Sequence, residues 1–204
     1  RIVFSIIDND ALVFVLLGHT VITRTAIDLV SNTISSQQTI TVVDTIPPTV
    51  TIPPAIIFEA QNITSNVISI GTATGDDAVG IASVTNDAPI MFPIGETIVE
   101  WTAIDLVGNT ISSQQTITVV DTIPPTITAP EDVIYEAIST TDNTIPLGDA
   151  ITDDVVGIDS LTNDAPVMFT IGKTIVEWTV TDHSGNKSTY SQKITLVYTI
   201  LPNH

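Results

Sequence analysis

The chain repeats itself every 77 residues: Asp76-Asp77 returns as Asp153-Asp154, Asn86-Asp87 as Asn163-Asp164, Trp101 as Trp178 and Gly108-Asn109 as Gly185-Asn186. Residues 45–121 and 122–198 align without a gap at 43 identities in 77. Residues 25–49 match 102–126 at every position but one, where Ser31 stands against Gly108. Self-similarity at a fixed period marks units strung in series. A period well above that of a solenoid unit predicts that each copy buries its own small core. The expected boundaries are two complete modules at 45–121 and 122–198, the C-terminal part of an incomplete module at 1–44, and the start of a further joint at 199–204.

Five Lys and Arg face 23 Asp and Glu, a net charge of −18. Nucleic acid and anionic membrane are poor partners for such a chain, because both need clustered cations to displace counterions. Acidity combined with 43% apolar residues is no disorder signature, since the Ile, Val and Thr content suits packed strands. The absence of cysteine removes disulfides, thiol chemistry and thiolate zinc sites. Ala11–Gly18, the most apolar stretch, is too short to span a bilayer and is expected to be a buried strand, so no membrane insertion is expected of this segment.

Within a module, Pro47-Pro48 and Pro124-Pro125 each follow Asp-Thr-Ile. Paired prolines lose two donors and favour extended geometry, which predicts a short, stiff joint. Thr97–Asp105 alternates with Val99, Trp101 and Ala103 on one face, the pattern of a half-buried strand. Leu106–Asn109 supplies a turn into a second strand, Thr110–Val120, making a hairpin. Ser31 in place of glycine means either that this turn does not need positive φ or that the first copy carries strain there. Ala55–Ala60, Asn66–Ile70 and Ile81–Thr85 are shorter strand candidates. About seven short strands without helical periodicity predict an all-β fold of tandem antiparallel β-sandwiches.

The run Phe92-Pro-Ile-Gly-Glu-Thr-Ile-Val-Glu-Trp-Thr-Ala-Ile-Asp-Leu-Val-Gly-Asn109, closed by Ile117-Thr-Val-Val-Asp-Thr-Ile-Pro-Pro125, resembles the hyalin repeat. The pattern returns at Phe169–Asn186 and, without its Trp, at Phe14–Asn32. The resemblance implies immunoglobulin-like sandwiches in an extracellular, cell-surface protein associated with adhesion. Many animal members carry a cysteine pair; Ile52 or Ala129 and Ser or Gln residues stand at the corresponding places, a departure that favours a prokaryotic surface protein.

Calcium takes six to eight oxygen ligands, and Asp-rich loops at module ends supply them. Asp76-Asp77 with Asp105, and Asp153-Asp154 with Asp182, are the candidate calcium ligands, with Asp87 and Asp164 as the alternative convergence. The plainer expectation is that these acids bond nearby backbone amides in turns. Glu59 and Glu136 with the linker acid Asp121 form a second candidate cation site at the joint, against a solvated strand face; Tyr198 replaces that acid in the last copy. Asn62-Ile-Thr64 and Asn186-Lys-Ser188 fit the N-glycosylation sequon. His19, His183 and His204 share no repeat position, no serine sits in a nucleophile elbow, and no isolated carboxylate pair suits acid–base work. No catalytic or cofactor-binding residue is assigned.

The expected function is therefore a non-catalytic structural array of the cell surface, a filament, stalk or surface-layer segment whose partners are neighbouring modules or further copies of itself. The incomplete first module, with apolar residues Val13, Val15 and Leu17, offers a face for strand addition by a neighbour. Two alternatives stand beside it: an adhesion module recognising a protein or glycan, and an accessory region of a larger secreted enzyme.

Overall fold

Alternating strands carry the whole architecture. The computed structural model describes residues 15–199, and among them lie fourteen strands and no helix. A hairpin comes first, β1 (Gly18–Ile27) against β2 (Thr33–Val42), antiparallel from Gly18↔Val42 to Ile27↔Thr33. Six strands follow: β3 (Thr49–Thr51), β4 (Ile56–Glu59), β5 (Thr74–Asp76), β6 (Ile81–Asn86), β7 (Gly95–Asp105) and β8 (Thr110–Val120). The same six return as β9 (Thr126–Thr128), β10 (Val133–Glu136), β11 (Ile151–Asp153), β12 (Ile158–Asn163), β13 (Gly172–Asp182) and β14 (Lys187–Val197).

Each set of six makes two sheets. The larger has the order β4-β8-β7-β6, repeated as β10-β14-β13-β12; the smaller pairs β3 with β5, repeated as β9 with β11. The chain is thus a tandem of all-β, immunoglobulin-like sandwiches. The pairing is not wholly antiparallel: β4 runs parallel to β8, and β10 parallel to β14. Each parallel pair joins an early strand to the last strand, and the intervening hairpins provide the long connection that parallel pairing requires.

The period-2 pattern of β7 is realised in burial. Val99 and Ala103 are fully buried and Trp101 is 4% exposed, and Val176, Val180 and Trp178 repeat the arrangement. In the last module Ala137, Phe169, Val176, Trp178, Ile194 and Leu196 form the core, with Ile127, Leu147 and Ala150 packed on it. Burial of each large side chain contributes about 1.5–3 kcal/mol. A buried glutamine ties this core to the loops: Gln192 accepts from the Trp178 indole at 3.1 Å and donates to the carbonyls of Glu131 and Leu147, both at 2.9 Å. Gln115 does likewise to Pro54 and Ile70.

The chain divides into two compact units, one of residues 1–51, 73–86 and 101–113, the other of residues 52–72, 87–100 and 114–204. The first contains the joint Asp44–Pro48 and the second the joint Asp121–Pro125. In each, the second proline is buried and the first exposed.

Three expectations change. Asn66–Ile70 is no strand. Asn66 makes a single bridge to Phe92, and its buried amide accepts from the N–H groups of Gln61 and Asn62 and donates to the carbonyls of Asn62 and Phe92. A side chain that saturates the backbone around it holds an arch, not an extended strand. The short strands β3 and β5 were not expected. In Ala11–Gly18, residues 11–14, with Val13, lie outside the described residues; Leu16 is 78% exposed, and only Gly18 belongs to a strand. At the first hairpin turn Ser31 takes φ 69°, where Gly108 and Gly185 take 98° and 91°. The turn does need positive φ, and the serine carries the strain.

Candidate functional site

The turn between β7 and β8 is built by one carboxylate. Asp105 Oδ1 accepts the backbone N–H groups of Val107, Gly108 and Asn109 at 2.8, 2.6 and 2.9 Å, and Oδ2 accepts the Asn109 amide at 2.7 Å. Asp105 is 1% exposed. Burial pushes its carboxyl upward, but these four donors outweigh burial and hold it below the ordinary carboxylate value. Asp182 repeats the balance with Asn186, Ser184 and Gly185. In the exposed first hairpin, Asp28 is held low chiefly by the Asn32 side chain.

Asn109 then reaches the joint. Its Nδ2 also faces the Asp44 carbonyl at 3.4 Å, Asp44 Oδ2 at 3.5 Å and the Ile46 carbonyl at 3.3 Å. One copy on, Asn186 Nδ2 meets the Asp121 carbonyl at 3.1 Å, Asp121 Oδ2 at 3.2 Å, the Ile123 carbonyl at 3.5 Å and Asp182 Oδ2 at 2.9 Å. An asparagine of the module that follows thus holds the joint residues.

The module that precedes holds them too. Glu59, the last residue of β4, accepts the Thr122 N–H on Oε1 at 2.7 Å and the Thr122 hydroxyl on Oε2 at 2.9 Å. Glu136 accepts the Thr199 N–H at 2.5 Å and its hydroxyl at 3.1 Å. The joint Asp121-Thr122-Ile123 is therefore stapled from both sides.

Around each asparagine the acids gather. Asp44, Asp77 and Asp105 each offer a carboxylate oxygen, all within 4.8 Å of one another, and Asp121, Asp154 and Asp182 do the same. Asp77 and Asp105 come together as the sequence suggests, and so do Asp154 and Asp182. Asp76 and Asp153 stand apart: each lies at the end of a short strand, its carbonyl accepting the hydroxyl of Thr49 or Thr126. Asp87 and Asp164 also go elsewhere, each capping the N–H of Glu100 or Glu177. The third acid of each group is the linker aspartate, Asp44 or Asp121; the sequence suggests Asp121 as a partner of Glu59 and Glu136 instead, and does not single out Asp44. Its signal was the strict recurrence of Asp-Thr-Ile-Pro-Pro. The donor set of three carboxylates and nearby carbonyls, without sulfur or imidazole, fits a hard divalent cation. In the assigned orientation the asparagine amide hydrogens point at those oxygens; turned over, Oδ1 would face them.

The two sequons differ. Asn186 is the joint asparagine, its Nδ2 surrounded by four acceptors. Asn62 is exposed on the arch before Asn66.

Matches of the HYR domain family model fall on residues 43–119 and 120–196. The chain belongs to the HYR domain family. It is 35% identical over 204 residues to hyalin of Lytechinus variegatus, across 88% of this chain and 37% of that protein. With hyalin of Strongylocentrotus purpuratus it shares 33% over 208 residues, 90% of this chain and 17% of that one. The chain thus spans well under half the length of these relatives. Among solved structures, the protocadherin GammaB4 extracellular domain aligns at 11% identity and TM-score 0.37, over 87% of this chain and 37% of that one. Fibronectin(III)-like modules of Clostridium thermocellum CbhA align at 18% and 0.30, over 76% of this chain and 98% of that one.

Proposed function

We propose that this chain is a stretch of a non-catalytic, extracellular module array whose task is reach and association, its modules held in fixed register by stapled joints. The observation that carries the reading is the recurrence of the joint contacts one period apart: Asn109 and Asn186 on one side, Glu59 and Glu136 on the other. Catalysis gains nothing from copying joint contacts; a stiff array gains stiffness with each copy. Membership of the HYR family and likeness to hyalins support the extracellular setting. Adhesion is the function class this favours.

Calcium is the cation we assign to the joint acids, held by Asp44, Asp77 and Asp105 and by Asp121, Asp154 and Asp182. Bound there, it would neutralise carboxylates drawn from the linker, from the turn after β5 or β11 and from the end of β7 or β13, stiffening the joint further. Calorimetric titration with calcium chloride tests this: wild type gives up to two sites per chain, and the paired variant Asp105→Asn/Asp182→Asn gives none. Absence of binding heat or of any calcium-dependent rise in unfolding temperature in wild type would contradict it.

Two contacts with partners follow from specific observations. Ile90 and Met91 are 87% and 50% exposed, and Val167 and Met168 are 89% and 52% exposed at the same repeat position. Repeated apolar loop tips favour recognition of another protein surface. The first hairpin favours strand addition: among the described residues β2 pairs only with β1 and its other edge carries no strand, where the same edge of β8 carries β4. A synthetic peptide of residues 121–141 tests that addition. It should bind through the β2 edge, and light scattering should report self-association that the peptide blocks.

A further inference from the structure

Of the two sequons, only one presents its nitrogen. Asn62 lies on an arch fixed from beneath: the Asn66 carboxamide oxygen accepts the N–H groups of Gln61 and Asn62 at 2.8 and 3.1 Å, and its Nδ2 donates to the Asn62 carbonyl at 2.7 Å. Asn66 is 1% exposed and holds the Phe92 carbonyl as well, so the arch is anchored in the core. Backbone pairing of Ile94 with Ile63 braces its other limb. On this support the Asn62 side chain stands exposed.

Its oxygen is occupied and its nitrogen is not. Asn62 Oδ1 accepts the N–H of Thr64 at 3.1 Å and lies 3.5 Å from the Thr64 hydroxyl, while among the described residues no hydrogen bond engages Nδ2. The next copy shows how little of this the fold requires. Ser139 takes the place of Asn62, and its hydroxyl accepts the N–H groups of Thr141 and Asp142 on the same kind of arch. A serine closes the turn equally well, which leaves the spare amide nitrogen of Asn62 without a structural task. In the other sequon the reverse holds. Asn186 Nδ2 donates to both ends of the joint, and a substituent there would displace the linker.

We propose that Asn62 is an N-glycan acceptor of this chain and that Asn186 is not. The reaction class is transfer from a lipid-diphosphate-linked oligosaccharide by an oligosaccharyltransferase. The bond formed joins Asn62 Nδ2 to the anomeric carbon of the first sugar. The bond broken is that between this carbon and the diphosphate oxygen; the lipid diphosphate departs with the electron pair, and one Nδ2 proton passes to base. Thr64 supplies the hydroxyl beside the reacting amide that the sequon requires. The joint contacts are made by Glu59 and Asn186, not by the Asn62 side chain, so a glycan on Asn62 displaces none of them.

The inference rests on the extracellular reading, and its test separates the two. The 204-residue chain is secreted from a eukaryotic cell line carrying the transferase, and its glycopeptides are mapped by mass before and after enzymatic deglycosylation in heavy-oxygen water. Secreted chain should carry the glycan and, after release, the heavy-oxygen label at position 62, with position 186 unlabelled. Asn62→Gln and Thr64→Val should each abolish the modification, the second with the asparagine still present. Folded, secreted chain with Asn62 bare, or with Asn186 glycosylated, would overturn the inference while leaving the array reading standing.

Discussion

Glu59 holds Thr122 with both carboxylate oxygens, one on the backbone N–H at 2.7 Å and one on the hydroxyl at 2.9 Å. Strand β4 thereby reaches across 63 residues of sequence to fix the first residue after the linker acid. A hydrogen bond to a charged group contributes about 1.5–3 kcal/mol when shielded, and less here because Thr122 is exposed. Glu59→Ala should therefore cost about 1 kcal/mol locally. Hydrogen exchange at the Thr122 amide should accelerate roughly fivefold or more, with the β7 amides unchanged. Equal protection of Thr122 in both proteins would show that the staple contributes nothing.

Acid should loosen the hairpin turns before it unfolds the cores. Asp105 and Asp182 have folded-state pKa values below the ordinary one, so the unfolded chain binds protons first as pH falls. Their contribution is complete above roughly pH 4–5, and it is lost as pH falls through the folded values. Thermal unfolding followed from pH 7 to 2 should show a steep drop in the acid range. Asp105→Asn/Asp182→Asn should be less stable at neutral pH and should show a flatter acid slope. An unchanged slope would remove these two carboxylates from the account.

Ser31 offers a stabilising change. It is the one described residue other than glycine with positive φ, at 69°, in a turn where the two later copies place glycine. Ser31→Gly removes a left-handed penalty of about 1 kcal/mol, offset in part by the greater freedom of glycine in the unfolded chain. The net expectation is a gain of about 0.5 kcal/mol, read as slower exchange of the β1–β2 amides. Faster exchange would contradict it.

The long strands β7 and β13 were legible because burial follows a two-residue period. Val99, Trp101 and Ala103 declare their face in any strand-length window, and the repeat confirms it at Val176, Trp178 and Val180. The strands β3 and β5 were not legible, since three residues are too few for a period to emerge. Destinations of single carboxylates were half legible. Asp76 and Asp77 are neighbours in sequence, yet only Asp77 joins the acid group; residue 76 ends β5 beside Thr49, whereas residue 77 begins the turn and caps Val79. The linker acids Asp44 and Asp121 were visible as a motif, but their partner depends on the path of the β7–β8 turn. The sequon alone could not rank the two asparagines, because only the path of the joint shows that Asn186 Nδ2 is engaged by Asp121, Ile123 and Asp182.

The claim that most needs testing is that a stapled joint makes modules 45–121 and 122–198 move as one. Nitrogen-15 relaxation on the 204-residue chain gives a rotational correlation time for each module separately. The account predicts a single, long value shared by β7 and β13, shortened and split in the Glu59→Ala/Asn186→Ala variant. Two short, independent values in the wild-type chain, each that of a lone domain of about 80 residues, would contradict it.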